Sequence, residues 1–116
     1  MRHVLALIAL AALSTPAWGQ QILPPPEYDY PFKGPVTYTR MKDIAAVNKI
    51  CNNPNAGLAC AMLINGVCNI FLVSDDMLQS RRLDPEDVKR HEMAHCNGWA
   101  AHHPGARFVG SKVDRA

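Results

Sequence analysis

The chain has 116 residues, 12 Lys+Arg against 10 Asp+Glu, five His and four Cys, and 48% of its residues are hydrophobic. That length holds one domain and no more. A formal charge of +2 supplies no basic stripe for nucleic acid or a membrane surface, and the apolar content excludes global disorder.

The N-terminus reads as an export signal. Arg2 and His3 precede an unbroken apolar run from Val4 to Leu13, which Ser14-Thr15-Pro16 breaks before Ala17-Trp18-Gly19. A charged start, a short apolar stretch and small residues near its end are the features a signal peptidase reads. The run is about half the ~20 residues needed to cross a bilayer. Residues 1–19 are therefore expected to be removed, leaving no membrane span and placing the rest in the periplasm or outside the cell.

Export changes the meaning of Cys51, Cys60, Cys68 and Cys96. An even count in a short secreted chain implies two disulfides, and a small core needs such staples. A zinc site built from cysteine is disfavoured because the chain has no Cys-x-x-Cys pair.

Residues 20–36 are proline-rich, with Pro24-Pro25-Pro26 in succession and Tyr28, Tyr30 and Phe32 further on. Proline fixes φ and removes donors, so this segment is expected to be an extended arm, either wrapped on the domain or flexible. The domain itself then occupies 37–116. Across 39–51, Met41, Ile44, Val47 and Cys51 form an apolar stripe at helical spacing, ended by Asn52-Asn53-Pro54.

Two apolar runs follow, 58–64 and 67–73, separated only by Asn65-Gly66. Asn-Gly between such runs predicts a hairpin, because a type I′ turn needs positive φ at both positions. With a two-residue turn, Ile64 pairs with Val67 and Leu63 with Cys68, so Cys60 and Cys68 point to opposite faces. That disfavours a Cys60–Cys68 bond, and the expected bridges are Cys51–Cys60, closing the loop after the first helix, and Cys68–Cys96, pinning the hairpin to the last helix.

The last helix is the best-marked element, predicted over 85–97. Asp84 can cap it, Pro85 suits its first position, and Glu86 and Asp87 favour its positive end. Leu83 and Val88 can form a hydrophobic staple, and Gly98 stands where a left-handed cap would fall. Asp75-Asp76 is read as a solvated loop rather than a calcium site, and Arg81-Arg82 and Lys89-Arg90 as a solvated helix face.

On that helix stands His91-Glu92-Met93-Ala94-His95, an H-E-x-x-H motif. Residues four apart differ by ~40° around the axis and ~6 Å along it, so both imidazoles can reach one metal. Glu92 beside the first ligand can serve as a general base toward a metal-bound water. His102 and His103 lie close behind, so every histidine after residue 19 falls between 91 and 103.

The stretch 91–103, His-Glu-Met-Ala-His-Cys-Asn-Gly-Trp-Ala-Ala-His-His, resembles the active-site helix and turn of zincin metallopeptidases. Within them it is most similar to the metzincin pattern, H-E-x-x-H-x-x-G-x-x-H. It also resembles small exported bacterial proteins carrying an H-E-x-x-H-C-N-G-W segment. The resemblance implies His91 and His95 as ligands of one Zn2+, Glu92 as acid/base, and Gly98 as the turn bringing in a third ligand. The metzincin third-ligand position is Ala101 here, so that ligand falls to His103 or, alternatively, His102. No Met follows Gly98 and no Glu follows Glu92, so the metzincin Met-turn and a glutamate-ligand site are both missing. Asp114 is read as a solvated tail residue.

The expected fold is thus α+β: a small zincin-like domain with an N-terminal helix, a hairpin and an active-site helix, stapled by disulfides. The expected function is zinc-dependent hydrolysis of a peptide or protein substrate. Ile70, Phe71 and Leu72 are candidates to hold an extended substrate along a strand edge, and Trp99 to wall the site. Two other readings stay open: a non-catalytic metal-stabilised module of a bacterial envelope or secretion assembly, and a disulfide-stapled binding domain without metal.

Overall fold

A computed structural model of the chain describes residues 20–110. The expected signal segment and Asp114 lie outside the described residues. The described residues form a small α+β domain with three α-helices, two sheets and two disulfides.

Strand β1, Gln20–Leu23, is followed by a 3-10 turn, Pro26–Tyr28. Strand β2 then spans Val36–Arg40 and helix α1 Ile44–Ile50. The hairpin is β3, Ala59–Ile64, and β4, Val67–Leu72. Helix α2, Asp75–Ser80, helix α3, Pro85–Cys96, and strand β5, Arg107–Gly110, complete it.

The helix expected over 39–51 begins later. Thr39 and Arg40 end β2, which runs parallel to β4 from Val36 opposite Cys68 to Arg40 opposite Leu72. β-Branched Val36, Thr37 and Thr39 around Tyr38 suit a pleated strand. The backbone turns helical only after Asp43, whose carboxylate accepts from the Ala46 amide at 2.8 Å. The hairpin forms in the expected register, Ile64 opposite Val67 and Leu63 opposite Cys68. Asn65 and Gly66 both take positive φ, 50° and 79°.

Asp75 and Asp76 are in the first turn of α2, not in a loop. Ser74 caps that helix by accepting from the Met77 amide, and Asp75 pairs with Arg40 at 2.6 Å. The proline-rich arm wraps the domain. β1 pairs antiparallel with β5, and Leu23, Pro24 and Pro25 are buried.

The sheet order β2-β4-β3 makes β4 the middle strand. Its Cys68, Ile70 and Leu72 are completely buried, and with Val47, Val73 and Leu78 they form the core. The two bridges are Cys51–Cys60 and Cys68–Cys96, with Cα separations of 6.5 and 5.8 Å. The first ties the end of α1 to β3. The second ties the end of α3 to the central strand, and so sets where the helix lies on the sheet.

Candidate metal centre

Helix α3 opens as its sequence requires. Asp84 accepts from the Glu86 amide at 2.8 Å with Pro85 in the first turn, and Asn97 closes the helix. Gly98 follows at φ 106°, and the chain reverses through 99–104. The Trp99 indole Nε1 donates to the Pro104 carbonyl at 2.8 Å, which closes that turn on itself. His103 takes a left-handed conformation, φ 61°, a strained choice for a non-glycine residue. Its imidazole is thereby brought back to the helix.

Three imidazoles converge. His95 Nε2 is 3.4 Å from His91 Nε2 and 3.2 Å from His103 Nε2, and one ligand atom from each ring falls within 4.8 Å of the others. Nitrogens bound tetrahedrally at ~2.0–2.1 Å from one ion stand roughly 3.4 Å apart. The cluster fits that requirement and could hold a metal ion. His102 is exposed and lies outside the cluster.

Two rings are oriented by carbonyls. His91 Nδ1 donates to the Ile22 carbonyl at 2.6 Å, and His95 Nδ1 to the Trp99 carbonyl at 2.8 Å. A proton on Nδ1 leaves the Nε2 lone pair free to face the centre, as in histidines that bind metal. Trp99, 2% exposed, stacks on His95 at 4.9 Å and meets His91 and His103 edge-on.

Burial sets the charge states. It pulls His91 down to about 4, partly offset by the Ile22 hydrogen bond, and it also lowers His95 and His103. All three are neutral at pH 7 and able to coordinate. Burial pushes Glu92 up to about 8. Its Oε2 stands 3.9 Å from His91 Nε2, so a proton-carrying acid lies beside the ligand set. These groups open into a cleft of about 400 Å³, lined also by Ala59, Cys60, Ala61 and Met62 of β3 and by Asn53 and Asn55.

The strand expected to hold a substrate does not have the geometry for it. β4 is bonded to β2 on one side and β3 on the other, and Ile70 and Leu72 have no exposure. Among the described residues β3 pairs only with β4, so the free edge beside the histidines belongs to β3.

Arg90 is exposed, as expected of a solvated helix face, but it is also paired: with Arg107 it grips Asp29, and Lys89 pairs with Glu86 at 3.0 Å. The Ile22 and Trp99 carbonyls and the edge position of β3 were hidden from sequence reasoning. A backbone carbonyl leaves no mark in residue type, and the edge depends on where β2 pairs.

Comparison of the chain with protein-family models, with curated proteins and with solved structures finds no match. The disulfides fit an oxidising compartment. Among the described residues no helix is long and apolar enough to cross a membrane.

Proposed function

We propose that the cluster holds one zinc ion and that the protein is an exported metallopeptidase. The observation that carries this reading is the juxtaposition of three neutral imidazoles with the buried acid Glu92. Three protein ligands, rather than the four of a closed structural site, are the donor set of catalytic zinc sites. When bound, zinc supplies Lewis acidity, polarising a peptide carbonyl and acidifying water.

The rest is the work of the chain itself. His91, His95 and His103 would hold the ion through Nε2. Glu92 takes a proton from the attacking water and returns it to the departing amine. An extended peptide pairs with the free edge of β3, at Ala59–Met62. Beside His91 and Glu92, a hollow of about 300 Å³ walled by Ile22, Leu58, Leu83 and Val88 suits an apolar side chain. The segment 1–19 would serve as the export signal, consistent with two disulfides.

One observation favours a second reading, a metal-stabilised module without catalysis. The ligands lie where the arm, α3 and the turn before β5 converge, so an ion there would also staple a small fold. Zinc content of the oxidised protein, measured by mass spectrometry beside His95→Ala, tests the site. Peptide cleavage beside Glu92→Gln then separates the readings. About one zinc per chain with cleavage lost in Glu92→Gln supports the peptidase. Zinc without cleavage supports the module.

A further inference from the structure

We propose that Asp29 is a positioning residue for the metal site: its carboxylate bridges Arg90 and Arg107 and so fixes the His103 turn against the helix carrying His91 and His95. This inference rests on the reading of the three histidines as a metal site.

The geometry places Asp29 between the two ligand-bearing segments. Arg90, immediately before His91, donates through Nε to Asp29 Oδ1 at 2.7 Å and through Nη2 to Oδ2 at 2.5 Å. Arg107, the first residue of β5, donates through Nη2 to the same Oδ2 at 2.8 Å. It also donates through Nε to the Pro24 carbonyl at 2.9 Å. The Asp29 side chain is only 15% exposed, and two-point guanidinium binding fixes direction as well as distance.

The first two ligands share one rigid helix and need no such help. His103 is different. It sits at positive φ in an irregular turn, and among the described residues its ring has no carbonyl partner of the kind that orients His91 and His95. Its backbone bonds to Ala100 and Ala106 close the turn locally, and the turn is held by the Trp99–Pro104 bond and by the arm. The arm is itself fastened to the helix, because Asn97 Nδ2 donates to the carbonyls of Tyr28 and Tyr30 at 3.1 and 2.7 Å. Asp29 thus joins the helix to the strand that follows His103.

A group that orients a ligand typically changes metal affinity by ~10–100-fold when lost. The test measures Co2+ affinity by competition with a chromogenic chelator, and the intensity of the visible Co2+ bands, in oxidised protein. The variants are Asp29→Asn, His103→Ala and the two combined, with Asp29→Glu as the conservative control. Expected is a loss of at least tenfold with weakened bands in Asp29→Asn, partial recovery in Asp29→Glu, and no further loss when Asp29→Asn is added to His103→Ala. Unchanged affinity in Asp29→Asn, or the same loss with and without His103, overturns the inference while leaving the metal site standing. No cobalt bound by the unaltered protein removes the metal site and the inference with it. If circular dichroism shows Asp29→Asn unfolded, Arg107→Gln, which keeps the Arg90–Asp29 pair, carries the same expectations in both backgrounds.

Discussion

Glu92→Gln is expected to stabilise the metal-free protein at alkaline pH, even though it removes the proposed catalytic group. The Glu92 side chain is buried, and burial raises its pKa from 4.5 to about 8. A raised carboxyl pKa means that the folded state binds more protons than the unfolded state between those values, so folding is progressively disfavoured as pH rises through that interval. Each pKa unit is 1.36 kcal/mol, and the full displacement is on the order of 5 kcal/mol, reached above pH 8. Between pH 6.5 and 8 the loss is about 2 kcal/mol. His91 works in the opposite direction at lower pH. Its pKa falls from 6.5 to about 4, so the unfolded state takes up its proton first and stability falls as pH drops below 6.5. Between about pH 4.5 and 6.5 the two slopes nearly cancel, so together these groups leave the metal-free protein's stability almost flat there and make it fall above pH 6.5. Glutamine carries no charge and is nearly the same size, so the variant should lose the alkaline fall and show the His91 acid fall without the offset that Glu92 supplies. Urea unfolding in the presence of a chelator, with disulfides intact, at half-unit steps from pH 5 to 9 gives both profiles. Parallel curves above pH 6.5 would refute the assignment of that acid to Glu92.

The same carboxyl should make zinc uptake proton-linked. At pH 7 it is mostly protonated while the three imidazoles are neutral, so a dication nearby should expel roughly one proton. Calorimetric titrations in buffers of different ionisation enthalpy should show that proton for the natural protein and not for Glu92→Gln. Replacing Cys68 and Cys96 by alanine removes the link between α3 and the central strand. It should cost roughly 2–5 kcal/mol in urea unfolding, and chelator competition should show weaker zinc binding as the helix loosens. Gly98→Ala forces a Cβ at φ 106°, where Tyr28 at 3.8 Å leaves space. Its cost is therefore backbone strain, about 1–2 kcal/mol, read as a lower Tm, and a Tm equal to that of the natural protein would contradict it.

The parts of the fold that sequence reveals are those with local causes. Asp84-Pro85 and Gly98 mark α3 because capping and left-handed backbone are decided within a turn of chain. Asn65-Gly66 fixes the hairpin, and the alternation it imposes puts Cys60 and Cys68 on opposite faces and so argues against a bridge between them. β2 is less visible because its partner β4 is parallel and distant in sequence, while the apolar spacing of Met41, Ile44 and Val47 runs on across the strand–helix boundary. Asp43 is the cap that marks that boundary. At the site, His91, Glu92 and His95 are legible from helical spacing. The convergence of His103 rather than His102 rests on the path of the 99–104 turn, where His103 takes a positive φ that its residue type does not announce. The arm has no periodicity to read, and its place is settled by Asp29, Asn97 and the β1–β5 ladder.

That ladder also decides how the protein yields to force. Gln20 and Gly110 face each other at its outer end, so tension applied across them peels the ladder one rung at a time instead of shearing it whole. Ile22 lies two residues in, opposite Phe108, and its carbonyl orients His91. A modest pull would then release the first ligand's support while the segment from Cys51 to Cys96 stays covalently laced. Under such a load the carbonyl support of His91 would be lost before the disulfide-laced core.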